Sequence, residues 1–386
     1  MIRRLGDIAS FRRGLTYSKG DETPLSNKRV LRSNNIDLES SSLDLSEIKF
    51  LRDDFIIPED RKLVANSIFI CMSNGSKQHV GKVAFIEKDM DYAFGGFMGL
   101  IVPSTDVSAK YVFYACQSSA YRSFLSKVGN GIGITNLRFS DLENFEFPVP
   151  SLNDQNRIVA ELDLLSGIIE KRYSQLKTLE DLSESIFYEM FGEPDDSPFE
   201  VVRLSQLSKE KLSYGSGASA IEYNGDVRYV RITDIQEDGT LTQTPVSPDS
   251  FDAKYLLHKG DILFARSGAT VGKTYLYSDR DGKAIYAGYL IRFIPDTSII
   301  LPEYVFHFTR SQFYKAFVRS NAQAVAQPNI NAQQYGNLSV NVPPMEMQRS
   351  FAKKISAIDS QISVIKQSIQ ATKDLLSSRM DSYFCV

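Results

Sequence analysis

The sequence predicts an α+β fold in which two mixed α/β domains alternate with two long helices that pair as an antiparallel coiled coil. Three observations carry this reading: an internal repeat, heptad patterning in two proline-free segments, and strand-like runs in the remainder. The repeat is fixed by Val149-Pro150 with Gln155 and Val342-Pro343 with Gln348, which lie 348 − 155 = 193 residues apart. Tyr111-Val112-Phe113 matches Tyr304-Val305-Phe306 at the same offset, as Ser118 to Arg122 matches Ser311 to Lys315. Further upstream the offset drifts, with Gly81-Lys82 against Gly272-Lys273, as loop insertions produce. The order globular, helix, globular, helix assigns 1–150 and 193–343 to two domains and 151–192 and 344–386 to two helices. A repeat of this kind predicts a pseudo-two-fold arrangement.

In the first helical segment apolar residues fall at Leu162, Leu165, Ile169, Leu176, Leu179, Ile186 and Met190, with breaks at Arg172 and Ser183. In the second they fall at Ile355, Ile358, Ile362, Ile365, Ile369, Leu376 and Tyr383, with breaks at Thr372 and Arg379. The register is the same in both, and a 3-4 repeat sustained over about four heptads predicts a coiled-coil seam. No proline interrupts either stretch, and a helix of ~38 residues would reach roughly 55 Å. Amphipathic helices packed on a globular core are the alternative.

The globular parts contain strand-like runs at Ser67–Cys71, Gly99–Val102, Val227–Arg231, Asp261–Phe264 and Gly288–Phe293, punctuated by Ser73-Asn74-Gly75-Ser76 and Ser267-Gly268-Ala269-Thr270. Helices are expected from Val107 to Val128 and from Glu303 to Arg319. Gly192 to Pro198 marks the boundary between the repeats.

Composition is that of an ordinary globular protein. The 386 residues are 42% hydrophobic and 24% charged, enough for two or three domains with cores of their own. No run is long enough to span a membrane, and the N-terminus has no signal-peptide core. Cys71, Cys116 and Cys385 lack the count of a disulfide framework, and a reducing cytoplasm is expected. With 44 Lys and Arg against 47 Asp and Glu, bulk charge does not announce nucleic-acid binding. Any such function must rest on local clusters and architecture.

The second half carries the run Gly260-Asp261-Ile262-Leu263-Phe264-Ala265-Arg266-Ser267-Gly268-Ala269-Thr270-Val271-Gly272-Lys273, and each half carries a Pro-containing run, 148–150 or 342–344, with Gln155 or Gln348 at the helix head. In this respect the whole chain resembles the specificity subunit of a type I restriction-modification system. Asp154 and Met347 stand where that family usually has Glu, and the Asn74–Gly81 loop is three residues longer than its counterpart. The resemblance implies that the globular parts are target-recognition domains for double-stranded DNA. It also implies that the helices dock two methyltransferase subunits, with restriction and translocase subunits joining them. S-adenosylmethionine, ATP and Mg would then belong to those partners and no cofactor to this chain. Two unlike readers held by an antiparallel pair would meet half-sites about one helical turn, ~34 Å, apart, giving an asymmetric split target.

Candidate DNA contacts follow from residue type and place. Arg12, Arg13, Tyr17 and Lys19 form a basic and aromatic cluster in an expected loop, suited to phosphate. Arg32, Asn34 and Asn35 follow one strand, as Arg231 and Thr233 follow another, where Arg and Asn can read base edges. The loops carrying Ser73, Asn74 and Lys77, and Arg266, Ser267, Thr270 and Lys273, offer hydroxyls, amides and cations. Asn130, Thr135 and Asn136, and Gln323, Gln327 and Asn329, precede the helix heads at equivalent places, and Tyr214 joins the second set. For every one of these the alternative is a solvated surface group or a hairpin stabiliser. On the long helices Glu161, Glu170, Lys171, Glu180 and Lys373 are candidate docking charges.

Enzyme signals fail on inspection. Gly268 to Thr274 imitates a phosphate-binding loop but has three spacers instead of four and serine at position 267. Asn341-Val342-Pro343-Pro344 imitates an adenine methyltransferase motif with an extra Val342 and no aromatic, and fits a strand-to-helix corner better. His79, His258 and His307 have no ligand pattern, and no metal site is expected. A non-catalytic chain is therefore expected. A specificity module of a type II restriction-modification enzyme and a coiled-coil adaptor without a DNA role are the alternatives.

Overall fold

The computed structural model describes residues 1–128, 135–193, 196–322 and 328–385. The chain forms two compact units, one of Met1–Tyr173 with Gln367–Val386 and one of Ser174–Lys366. Two helices of 40 residues each, Leu152–Phe191 and Met345–Phe384, contribute one end to each unit.

In the first unit a four-stranded antiparallel sheet runs in the order Ala9–Arg13, Met98–Pro103, Ser67–Cys71, Val83–Ile86. A five-stranded sheet flanks it, with Lys28–Leu31 parallel to Met90–Phe94 at its centre. Ser67–Cys71 is buried at every position, which is why it reads as a continuous apolar run rather than an alternating one. The second unit repeats the four-stranded sheet as Ser213–Tyr214, Leu290–Phe293, Ile262–Ala265, Thr274–Leu276. Arg228–Val230 pairs in parallel with Ala284–Tyr286. A further pair, Ile2–Arg4 with Glu146–Pro148 in one unit and Glu200–Arg203 with Ser339–Val342 in the other, brings the end of each domain back to its start.

The turns after the innermost strands explain the matched Gly-Lys pairs. Gly81 and Gly272 have φ of +80° and +89°, and a side chain on either would strike Leu125 or Val318 on the neighbouring helix. The lysines that follow reach inward, Lys82 donating to the Ile36 carbonyl at 2.7 Å and Lys273 to Ile235 at 3.5 Å.

Each single helix expected after the sheet is in fact two. Ala109–Ala115 and Ser119–Val128 are separated at Cys116–Ser118, and Pro302–Phe308 and Gln312–Ala322 at Thr309–Ser311. The break is a capping event: the hydroxyls of Ser118 and Ser311 accept the N–H groups of Tyr121 and Tyr314 and start a new helix.

Within the first unit the N-terminal half of the first long helix packs on the C-terminal end of the second. Ile158 and Leu162 share a core with Phe384, Tyr111 and Phe147, with Leu376, Met380 and Tyr383 beside them. Within the second unit the ends are exchanged, Phe187 and Phe191 lying against Phe351 with ring centroids 5.8 and 5.2 Å apart. The two helices are therefore antiparallel. The seam runs through the expected positions and also through the breaks: Ser183 is buried, its hydroxyl donating to the Leu179 carbonyl at 3.0 Å, and Arg172 and Thr372 are half-buried. At Arg379 the seam is polar, its guanidinium gripping both carboxylate oxygens of Glu161 while Tyr383 donates to the same carboxylate at 2.7 Å.

Each helix head is anchored by its glutamine. Gln155, 1% exposed, accepts the Ser108 N–H at 2.9 Å and donates to the Pro150 carbonyl at 2.9 Å. Gln348, fully buried, accepts the Leu301 N–H at 2.8 Å and donates to the carbonyls of Ile299 and Pro343. The Pro-rich corner before each helix is the strand-to-helix transition, with only Pro343 and Pro344 between the end of Ser339–Val342 and Met345.

Candidate nucleic-acid interface

In the first unit four segments meet at one edge of the sheets. Arg32 precedes a short 3-10 turn, Ser33–Asn35, in which the Asn35 side chain accepts the Arg32 N–H at 2.8 Å. Asn35 is 1% exposed, and its amide donates to the carbonyls of Asp44 and Glu47, both at 2.8 Å. It shapes the turn and faces no solvent. Asn34 is exposed, and Arg32 reaches Glu47 at 3.4 Å. Asn74 bridges from the next loop, donating to the Ser33 hydroxyl at 3.0 Å, and Ser73 donates to the Thr135 carbonyl at 3.0 Å while its backbone pairs with Asn136. The fourth segment is the turn Gly95–Met98, closed by Met98 N–H on the Gly95 carbonyl at 2.8 Å. The Phe97 carbonyl of that turn accepts the N–H groups of Met72 and Ser73.

The second unit builds the same surface from different side chains. Arg231 stands where Arg32 stands, before the turn Ile232–Asp234, but its guanidinium is held in a fork by the buried Asp234 at 2.8 and 3.1 Å. Thr233 is exposed. The turn Ala287–Leu290 closes as its counterpart does, with the Leu290 N–H on the Ala287 carbonyl at 2.9 Å, and the Tyr289 carbonyl accepts the Arg266 N–H. Ser267 pairs with Asn329, and Arg266 donates to the Asn329 side chain at 3.3 Å with its guanidinium 4.7 Å from the Tyr214 ring centroid. The Tyr214 hydroxyl accepts the Ala332 N–H at 3.0 Å. Tyr214, Arg266 and Asn329 are thus one cluster. Thr270 turns back on the Ser267 carbonyl, and Lys273 is committed to Ile235 and, at 2.9 Å, to Glu237.

The expected loop cluster at the N-terminus takes a different form. Arg12 and Arg13 lie on the edge strand Ala9–Arg13, paired with Leu100 and Gly99, so they alternate to opposite faces. The partner strand lies almost ninety residues on, beyond the reach of local pattern. Tyr17 packs beside Leu15, Val30, Leu51 and Ala93, where burial and then Glu22 raise its phenol pKa, while Lys19 is exposed. Lys77 opens an exposed 3-10 turn, Lys77–His79. Asn130, Gln323 and Gln327 lie outside the described residues.

Several residues at the interface carry little signal in the sequence. Phe97 and Tyr289 are 72% and 63% exposed, at the same position of equivalent turns. An aromatic at the head of a strand reads as core, and only the preceding glycines hint otherwise. Lys315 and Arg319 line a cleft with Lys273 and Arg310 on the second unit, a concentration of cations that bulk charge conceals. Arg310 itself is structural: it donates to the carbonyls of Asp238 and Phe306 at 2.9 and 2.8 Å, and burial lowers its pKa to about 10. On the long helices Glu161 and Lys373 are engaged within the first unit, Lys373 lying 3.9 Å from Glu39, whereas Glu170 and Lys171 are exposed. Among the described residues no helix is long and apolar enough to cross a membrane, and no group of three metal-ligating side chains converges.

The repeat seen in the two units has a counterpart in known proteins. Residues 1–178 and 196–373 each match the type I restriction modification DNA specificity domain. The chain belongs to that family. The type I specificity subunit StySPI of Salmonella potsdam is 22% identical over 94% of this chain and 82% of its own length. The EcoKI specificity subunit of Escherichia coli K12 is likewise 22% identical, over 96% and 84%. In fold, the chain is similar to the type I restriction-modification S subunit of M. genitalium, with a TM-score of 0.56, 15% identity, and coverage of 100% of this chain and 96% of that one. A chain from a structure concerned with complex assembly and conformational transition of the type I system has a TM-score of 0.52 at 16% identity, covering 99% and 97%. Two type I specificity domains in tandem, each taking in most of a long helix, account for the doubling of the chain.

Proposed function

We propose that this type I specificity chain reads an asymmetric, bipartite target in double-stranded DNA, one half-site per unit. The observation that carries the reading is the surface built twice on one backbone plan with different side chains. Ser73, Asn74, Thr135 and Asn136 face outward in one unit where Ser267, Arg266, Asn329 and Tyr214 do in the other. Arg32, Asn34, Thr233 and Lys77 are proposed to reach bases or phosphates beside them, and Arg13, Lys19, Lys315 and Arg319 to neutralise phosphates. Asn35, Arg231, Thr270 and Lys273 are proposed to hold these loops in shape, since their polar groups are spent inside the protein.

The chain has no catalytic role in this proposal. It recruits two methyltransferase subunits and, with them, restriction and translocase subunits in the cytoplasm. S-adenosylmethionine, ATP and Mg serve those partners. Glu170 and Lys171, exposed on the first long helix, are proposed docking charges, and the helices are proposed to set the interval between half-sites. The test is retardation of DNA by the chain with and without a methyltransferase subunit. Weak binding alone and selective binding in the complex support the proposal; equal binding to all duplexes under every composition refutes it.

A further inference from the structure

Phe97 and Tyr289 are large aromatics held out in solvent by turns that have little freedom. Each occupies the third position of a four-residue turn, Gly95–Met98 or Ala287–Leu290, closed by a hydrogen bond of 2.8 or 2.9 Å. Both turns are pinned from a second side, Gly95 N–H on the Leu31 carbonyl and Ala287 N–H on the Val230 carbonyl, each at 2.9 Å. From a third side Gly14 and Gly215 press so closely that a Cβ on Gly14 would fall on the Gly95 carbonyl, and one on Gly215 on the carbonyls of Tyr286 and Ala287. Neither aromatic makes a ring-to-ring contact with another described residue. An aromatic left 72% or 63% exposed gives up most of its packing, and its recurrence at one place in two otherwise dissimilar surfaces points to a partner. The groups around it are hydroxyls, amides and cations: Ser73, Asn74 and Thr135 in one unit, Arg266 and Asn329 in the other. A lone ring rising from such surroundings suits a duplex, in which phosphates and base edges take the polar groups and a base step takes the ring.

We propose that Phe97 and Tyr289 are specificity residues that insert at a base step, one in each half-site, and unstack it. The inference rests on the reading that each unit binds its own half-site. Insertion carries selectivity because pyrimidine–purine steps open more easily than others, so each unit would favour such a step at that place without any hydrogen bond to it. The rigid turn matters here, since a ring on a mobile loop would lose the gain to ordering.

The test uses the chain assembled with its methyltransferase subunits and a duplex carrying the target identified by methylation mapping, with 2-aminopurine substituted in turn along each half-site. The wild-type complex should raise the fluorescence at one step per half-site. Phe97→Ala should abolish the rise in one half-site only and Tyr289→Ala in the other. Each should weaken target binding by about 10- to 100-fold, as loss of one aromatic–base contact does, and leave non-target binding unchanged. Phe97→Tyr should retain the signal. Thermal midpoints of the variants should match the wild type, since neither ring packs in a core. Target binding and fluorescence unchanged in both alanine variants would overturn the inference while leaving the half-site reading intact. Loss of methyltransferase association in place of DNA binding would also overturn it, marking the rings as protein contacts. A wild-type complex that methylates without a split target would instead sink the underlying reading.

Discussion

The side-chain carbonyl of Gln155 accepts the backbone N–H of Ser108 at 2.9 Å, tying the head of a long helix to the start of a domain helix 47 residues earlier. Gln348 does the same for Leu301 in the second unit. Both amides are buried, so cutting either leaves an N–H and a carbonyl with no water to turn to. Gln155→Ala and Gln348→Ala should each lower stability by about 1–3 kcal/mol, read as a shift in urea midpoint at unchanged slope. A change within ~0.3 kcal/mol would show that the amides are incidental.

The polar contact in the helix seam should be worth much less. Arg379 and Tyr383 hold the Glu161 carboxylate, and these hydrogen bonds, Arg379 first, lower its pKa. The pair is part-exposed at the edge of the seam, where solvent screens it and such pairs contribute ~1 kcal/mol or less. Glu161→Gln should therefore barely move the denaturation midpoint, whereas Leu162→Ala, one residue along and wholly buried, should cost about 2–5 kcal/mol. Comparable losses in the two variants would mean the seam is held by charge and not by packing.

His307 gives the second unit a sensitivity to acid. It lies edge-on to Phe351, 5.3 Å between ring centroids, and burial, with Arg310 behind it, lowers its pKa to about 3. The folded chain thus binds fewer protons than the unfolded chain between about pH 6.5 and 3. Stability present above the ordinary histidine range is lost as pH falls through it, by up to ~1.4 kcal/mol per pH unit. Comparing wild type with His307→Phe in urea titrations at pH 7.5 and 5.5 isolates the residue. The variant should lose less on acidification, and parallel losses would contradict the assignment.

Gly14 and Gly215 should be needed for recognition more than for the core. A methyl group at either must displace the backbone of the turn bearing Phe97 or Tyr289. Gly14→Ala should weaken binding to one half-site of the target, measured by retardation of the assembled complex with half-site mutant duplexes, and Gly215→Ala to the other. Unaltered selectivity in both would show that the turns are not part of the interface.

What was legible in the sequence was whatever local pattern determines. Leu162 to Met190 and Ile355 to Tyr383 announced two uninterrupted helices because a 3-4 repeat without proline has few other ways to fold, and Gly192, φ +72°, ends the first. The splitting of Val107–Val128 was hidden because a mid-segment serine is neutral until its hydroxyl is seen to cap Tyr121. Arg12 and Arg13 carry no local strand pattern, because their strand exists only through its pairing with Leu100 and Gly99. At the candidate interface, Arg32, Asn35 and Arg231 drew attention by residue type, yet type does not say which side a group faces. Asn35 and Asp234 turned inward as capping groups, and Phe97 and Tyr289, which resemble core residues, turned out.

In the proposed function two separately built surfaces read two unlike half-sites. It is tested most directly by mapping methylated adenines in DNA modified by the reconstituted complex, first with the wild-type chain and then with Asn74→Ala and Asn329→Ala. The account expects a split target of two dissimilar halves, with Asn74→Ala relaxing sequence preference in one half and Asn329→Ala in the other. A single continuous target, or variants that each relax both halves together, would contradict it.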